Sequence, residues 1–328
     1  MRSKMSEKPA VTQSQLDARP KLVVIVGPTA VGKTEIAIQI AERLNGEIVS
    51  ADSRLFYRGM DIGTAKPTLA ERRGVPHHLI DVAEPDQIWS LALFQQKARE
   101  AIADIHARGK LVLLVGGTGQ YVRAVIQGWE VPKVEPNPNL RKALESWAAE
   151  IGGEGLFRRL ASLDAQAAAE IDPCNLRRTV RALEVILSSG RRFSEQRQSG
   201  PSSYRQLVLG LIRPRAELYE RVDERIQMMI ESGLVEEVRN LLERGYSPDL
   251  PTLSAIGYRE MVAYLQGRIP LEEAVRQMKR STRIFVRRQA NWFKPNDPDI
   301  RWFRAEAGSI EQMVEAIREF MGELPKNI

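Results

Sequence analysis

Eight consecutive residues carry the plainest chemistry in this chain. Gly27-Pro28-Thr29-Ala30-Val31-Gly32-Lys33-Thr34 fits the pattern G-x-x-x-x-G-K-[ST] in full. Glycines at this spacing let backbone N–H groups converge on anionic oxygens, and a helix opening behind them adds its dipole. Lys33 would reach terminal phosphates, and the Thr34 hydroxyl would bind Mg²⁺. The bland alternative is a tight strand-to-helix turn with no ligand. Two further candidates stand at the ends of apolar runs. Asp52 follows EIVSA, where a carboxylate could take a proton from a nucleophile attacking near the loop or could merely cap its own turn. Thr118, within Gly116-Gly117-Thr118-Gly119, offers more N–H and O–H donors to phosphate, or closes a plain turn.

A loop of this type usually serves a nucleoside triphosphate, with a carboxylate at the end of an apolar strand helping to hold the metal. Here LVLLV ends in glycines and a threonine instead. The only rival acid is Asp81, after the weak strand His78-Leu79-Ile80. That departure weakens the reading of an ordinary kinase or ATPase.

The elements needed to position these residues are legible. KLVVIV (21–26) is a continuous β-branched run, as expected of a buried parallel strand. Residues 34–44 place Ile36, Ile40 and Leu44 at helical spacing, and Asn45-Gly46 ends that helix. EIVSA (47–51) and LVLLV (111–115) read as further strands, with an amphipathic helix over 91–106 between them. Strands alternating with helices predict an α/β fold, a parallel sheet flanked by helices around a P-loop NTPase-like core. VPKVEPNPN (131–139) reads as a linker, residues 140–198 as helical only, and SGPSSY (199–204) as a second linker before the strand QLVLGLI (206–212). The expected organisation is therefore a disordered tail over 1–20, a core over 21–130 and 201–328, and an all-helical insertion over 131–200. Beyond Arg215 the chain reads as helices, with long ones near 215–244 and 271–293.

Composition bounds the rest. No apolar run approaches the ~18 residues that a membrane span needs, and the polar N-terminus lacks a secretory h-region. A cytoplasmic protein with no membrane partner is expected. The single cysteine, Cys174, excludes an internal disulfide framework and reads as an unreactive thiol. Net charge is +6, from 48 basic and 42 acidic residues, so its distribution matters more than its size. Residues 271–294 carry seven Lys or Arg against two acids, and Arg276, Arg280, Arg283 and Arg287 fall on one helical face. Such a stripe suits a phosphate backbone, or else is a solvated surface. Trp292 and Phe293 could stack on bases, though core packing is the ordinary reading.

Several segments resemble one family closely. Ser50-Ala51-Asp52-Ser53, the run Tyr57 to Pro67 containing MDIGTAKP, the loop GPTAVGKT, LLVGGTGQYV, RRTVRALEV (177–185) and SAIGYRE (254–260) occur in the order found in bacterial tRNA dimethylallyltransferases. Together they span most of residues 21–294, and MDIGTAKP is far more specific than a P-loop alone. The resemblance implies transfer of a dimethylallyl group from dimethylallyl diphosphate to N6 of adenosine 37 of tRNA. The loop 27–34 would then hold a diphosphate that leaves, which explains the missing acid. Asp52 matches the family's catalytic carboxylate. Lys33, Thr118 and Mg²⁺ on Thr34 would stabilise the departing pyrophosphate. Arg221 matches an arginine near that diphosphate, or is an exposed charge on its helix.

The resemblance also implies a tRNA anticodon stem-loop as partner. Its contacts would be Asp52, Ser53, Arg54, Leu55 and Thr118 at the reaction centre, and Arg141, Arg177, Arg178, Thr179, Val180 and Arg181 in the insertion. Ser254, Ala255, Ile256, Gly257, Tyr258 and Arg259 would join them, as would Arg280 and Arg283 of the stripe. An adenosine in a stacked loop must be extruded to reach a buried carboxylate, so a channel entered from two sides is expected. Two positions depart from the family pattern: Leu55 stands where glutamine is common, and Gln120 where leucine or isoleucine is common. Gln120 is expected to alter packing more than chemistry. A monomer is expected. The rivals left open are a small-metabolite kinase and an RNA-binding protein that uses a nucleotide only as a switch.

Overall fold

A computed structural model describes residues 18–132, 134–196, 200–306 and 308–322. Six parallel strands form one sheet in the order β3-β2-β4-β1-β5-β6. They are β1 (Lys21–Val26), β2 (Gly46–Ser50), β3 (His77–His78), β4 (Leu111–Gly116), β5 (Arg205–Ile212) and β6 (Ile300–Arg304). Leu22 to Val26 have no exposed surface, as a central strand covered on both faces requires. β1 pairs with β4 on one side, Val26 opposite Gly116, and with β5 on the other, Val26 opposite Gly210. β2 lies beyond β4, Ser50 opposite Val115. All strands run the same way, so the segments after β2, β4 and β1 emerge side by side at one edge of the sheet.

Helix α1 (Lys33–Leu44) follows β1 and ends where Asn45 turns left-handed, at φ 51°. Helices α2 (Leu91–Ala107) and α3 (Gly119–Ile126) flank β4. The helix expected over 215–244 is two: α9 (Arg215–Glu231) and α10 (Leu234–Glu243), broken at Gly233 with φ 96°. A side chain would strain that backbone, so glycine marks the joint. α11 (Tyr258–Leu265) and α12 (Leu271–Gln289) follow. The carboxyl-terminal segment is not helical throughout, because IRWFR forms the edge strand β6 before α13 (Ser309–Met321). Arg301 and Arg304 within it hide the alternation that would identify a strand. Among the described residues no helix is long and apolar enough to cross a membrane.

The chain divides into two compact units. Of the described residues, the larger takes those within 18–88, 97–122 and 203–322, and the smaller takes those within 89–96 and 123–202. Of the expected tail, residues 1–17 lie outside the described residues, as do Lys133 and Ser199 of the two linkers. The smaller unit holds α4 (Pro138–Ile151), α5 (Gly153–Leu163), α6 (Ala165–Glu170), α7 (Leu176–Ser189) and α8 (Phe193–Gln196). Leu144, Leu156, Leu160, Val180 and Leu183 build its own apolar core. Asn137, Asp164 and Asn175 cap the helices that follow them, each side chain accepting a backbone N–H. Cys174 is exposed at the start of α7.

Candidate active site

The loop 27–34 joins β1 to α1, and its geometry is that of an anion cradle. Ala30 takes φ 66°, a left-handed conformation costing a non-glycine residue about 1 kcal/mol. Two arginines hold the loop in that shape from behind: Arg221 Nε donates to Ala30 O at 2.8 Å, and Arg213 Nε to Val31 O at 3.1 Å. With those carbonyls turned outward, the amides of Ala30, Gly32, Lys33 and Thr34 donate to no protein acceptor among the described residues. Lys33 Nζ lies inside the curve, donating to Gly27 O at 2.9 Å and Pro28 O at 2.8 Å. Removal from water pulls the Lys33 ammonium down to about 8, against the raising pull of Asp52's charge, while the Arg225 charge adds to the fall. Pro28 and Thr29 are half-buried on the loop and Val31 is buried beneath it.

Asp52 sits one residue beyond β2 and does cap its own turn: Oδ1 accepts from Arg54 N at 3.0 Å. Oδ2 accepts no hydrogen bond among the described residues, so the turn engages only one of the two carboxylate oxygens. Ser53 N donates to Thr118 Oγ1 at 3.3 Å, which ties the turn after β2 to the turn after β4. Thus Asp52, Thr118 and the loop 27–34 gather at the same edge of three adjacent strands. Arg54 and Leu55 are half-buried in the Asp52 turn, where Leu55 N donates to Asp52 O and Leu55 O accepts from Asp81 N. Gln120 is exposed on α3.

Thr34 is exposed at the first turn of α1 and makes no side-chain hydrogen bond among the described residues. Among those residues no three His, Cys, Asp or Glu side chains gather as a metal cage. A hydroxyl on a phosphate loop fits Mg²⁺ that shares its ligands with substrate phosphate, and does not fit an all-protein metal site. Asp81, the rival metal-holding acid, is engaged elsewhere. It pairs at 2.5 Å with Lys66, which is buried, and lies 3.8 Å from Arg72.

Lys66 and Glu237 explain the MDIGTAKP segment. Lys66 Nζ also donates to Tyr57 O and Asp61 Oδ1. The Glu237 carboxylate accepts from the backbone N–H of Asp61, Ile62 and Gly63 and from the Tyr258 hydroxyl at 2.6 Å. The segment is thereby fixed as a rigid turn. Its Thr64 O accepts from Arg225 Nη2 at 3.4 Å. Arg225 was not singled out in the sequence, although it stands one helical turn after Arg221. Burial lowers its pKa and the Asp52 charge raises it, which sets it in the field of the same carboxylate. Tyr121 was also missed. It stacks on Phe56 at 5.9 Å, and its hydroxyl is held above its ordinary range by burial, with Tyr57 and Asp52 adding and Arg54 opposing.

The expected nucleic-acid contacts divide by exposure. Arg177 and Arg178 are exposed at the start of α7, but Thr179 and Val180 are buried because that helix turns them into the core of the smaller unit. Arg141 and Arg181 are only partly exposed. Both bind Glu184, whose side chain is wholly buried, with Arg141 Nε and Nη2 at 2.9 Å and Arg181 Nη1 at 2.6 Å. Their charges therefore serve the interior first. Ser254 and Arg259 are exposed and Ile256 is half-buried. Ala255, Gly257 and Tyr258 are buried, with Tyr258 supporting Glu237, so their side chains are not surface groups. On α12, Arg283 binds Asp223 of α9 at 2.6 Å and lies over the Tyr219 ring, while Arg276 pairs with Glu273. Arg280, Arg287 and Arg288 remain exposed without an ion pair among the described residues. Beyond α12, Phe293 is buried and Trp292 packs over Gly119, so neither ring is free for bases.

Comparison with known proteins gives a consistent picture. A family model described as IPP transferase matches residues 55–296. The chain is 53% identical over 296 residues to the tRNA dimethylallyltransferase of Roseiflexus sp. (strain RS-1), covering 90% of this chain and 97% of that protein. It is 48% identical over 309 residues to the tRNA dimethylallyltransferase of Thermomicrobium roseum, covering 94% of each. Among solved structures it resembles the full-length tRNA isopentenylpyrophosphate transferase of Bacillus halodurans, with a TM-score of 0.68 and 42% identity over 93% of this chain and 96% of that one. A eukaryotic dimethylallyltransferase described as acting on tRNA matches with a TM-score of 0.79 and 28% identity, over 94% of this chain and 81% of that one.

Proposed function

The chain belongs to the IPP transferase family, and from that premise we propose that it transfers a dimethylallyl group from dimethylallyl diphosphate to N6 of adenosine 37 of tRNA, just 3′ of the anticodon. The observation that carries this reading is the convergence of Asp52, Thr118 and the loop 27–34 at one sheet edge, with four loop amides free. Adenine N6 is a poor nucleophile, so loss of its proton as it attacks C1 of the substrate lowers the barrier. Oδ2 of Asp52 accepts that proton. The N6–C1 bond forms, the C1–O bond breaks, and the electron pair leaves on diphosphate. Lys33, the loop amides and the Thr118 hydroxyl meet the charge that develops there. Arg225, in the field of Asp52, adds a second cation at the site. Mg²⁺, when bound through the Thr34 hydroxyl, supplies further charge against the phosphate oxygens.

The exposed Arg280, Arg287 and Arg288 suit the phosphate backbone of an anticodon stem-loop, and Arg177 and Arg178 give the helical unit a basic surface of its own. The adenosine must leave its stack to reach Asp52. The same reading places a monomer in the cytoplasm. Incubation with labelled dimethylallyl diphosphate and tRNA, followed by mass analysis of the nucleosides, should yield N6-(dimethylallyl)adenosine without added ATP. No incorporation, beside robust ATP turnover, would decide for a kinase.

A further inference from the structure

α12 ends in Gln289, an uncharged residue to which the sequence pattern assigns no role. It is buried, at 6% exposure, and both ends of its amide are used on backbone. Oε1 accepts from Thr29 N at 2.8 Å, in the phosphate loop, and Nε2 donates to Gly117 O at 3.1 Å, in the turn after β4. The partners fix the orientation of the amide, because a backbone N–H can only donate and a carbonyl only accept. Space for this bridge exists only because residue 117 is glycine. A Cβ there would lie 2.6 Å from Gln289 Nε2, 3.3 Å from Gly27 O and 3.4 Å from Lys33 Nζ. The phosphate loop, the Thr118 turn and the last residue of the basic helix therefore meet around the space that a single methyl group would fill. Gln289 also occupies a loop amide that would otherwise be available to phosphate. It directly follows Arg287 and Arg288, two of the exposed cations.

We propose that Gln289 is a positioning residue that couples the basic face of α12 to the diphosphate loop, so that RNA seated on the helix changes the loop's affinity for diphosphate. This rests on the function proposed above. The helix end is tied by one hydrogen bond to the loop and by one to the turn after β4, with no flexible linker at this point. A shift of the helix end under RNA moves Thr29 and Gly117 together. By linkage the effect is reciprocal, and diphosphate changes the affinity for RNA by the same factor.

The test is a four-corner binding cycle on the full chain: inorganic pyrophosphate with and without an anticodon stem-loop RNA, by calorimetry. The wild type should show a ratio of at least about fivefold between the two pyrophosphate affinities. Gln289→Met keeps the bulk but neither hydrogen bond, and the ratio should fall to about one while RNA affinity alone barely moves. Gln289→Asn is a methylene shorter and cannot span both partners, so it should lose the coupling too and serves if the Met variant folds poorly. An equal ratio in wild type and both variants, or no ratio in the wild type, overturns the proposal. A wild type that binds neither pyrophosphate nor RNA would instead overturn the function on which it rests.

Discussion

Raising the pH from about 7 to about 9.5 should cut kcat/KM for dimethylallyl diphosphate while kcat holds to higher pH, because in the function proposed above one amine withheld from water controls capture of the anion. Lys33 falls from 10.5 to about 8 in the folded protein, chiefly because the loop withholds it from water. Keeping it charged there costs about 3 kcal/mol relative to an exposed lysine. One pH unit above its pKa about a tenth of it remains an ammonium, so kcat/KM should lie roughly tenfold below its plateau near pH 9. Bound diphosphate puts negative charge beside the amine and raises its pKa again, which protects kcat. The stability linkage has the opposite sign. Between about 8 and 10.5 the unfolded chain holds a proton on Lys33 that the native chain does not, so this residue's contribution to stability rises with pH. Loss of activity in that window therefore cannot come from Lys33-driven unfolding, and a thermal melt at each pH separates the two. Lys33→Arg, charged throughout, should be slower but should lack the alkaline limb. A flat profile in the wild type, or the same limb in Lys33→Arg, would refute the assignment.

Other outcomes follow from the same geometry. Asp52→Asn keeps an oxygen for Arg54 N and should fold normally, yet lose about 10²- to 10⁴-fold in turnover with little change in tRNA affinity, read by single-turnover prenylation. Removing that charge also withdraws the pull that raises Lys33, so pyrophosphate affinity in this variant should begin to fall at lower pH than in the wild type. Arg280→Glu with Arg287→Glu should weaken RNA binding and flatten its salt dependence by about two phosphate contacts, measured by titration at several salt concentrations. Arg283 is the wrong choice for that experiment, since its substitution by glutamate would set a second carboxylate against Asp223. Glu184→Gln should cost the chain about 1–3 kcal/mol in chemical denaturation, because the buried amide then sets an N–H against donors that the carboxylate accepted, while Arg141 and Arg181 keep some contact with water.

Much of the site is legible in the residues themselves. The cradle needs glycines and a lysine at fixed spacing within one turn, so local sequence displays it. β1, β2 and β4 are short continuous apolar runs, and a carboxylate or threonine just beyond β2 and β4 is visible as such. Gly233 was readable as a glycine but not as a break, since the helical spacing continues on both sides of it. β6 was missed because charged residues surround its two buried positions, Ile300 and Phe303.

What sequence alone determined about this protein is the chemistry within reach of one turn: a phosphate loop, a candidate base, and a family whose motifs run in order along the chain. What only the tertiary structure decided is which charges are free to act. Helical spacing put Arg283 on the same stripe as Arg280, and motif matching put Arg141 and Arg181 beside Arg177. Yet three of those five cations are engaged: Arg283 by Asp223 and Arg141 by Glu184, both far along the chain. Arg181 is engaged by the same Glu184 one turn on in its own helix, a carboxylate that packing had to bury. Tyr258 and the Lys66–Asp81 pair were likewise claimed by the scaffold, and Gln289 entered the site from 260 residues beyond Thr29. Spacing reports what one helix or turn can present. Whether a charge meets solvent, ligand or a buried counter-ion depends on what packs against it, and that is set by contacts no local pattern encodes.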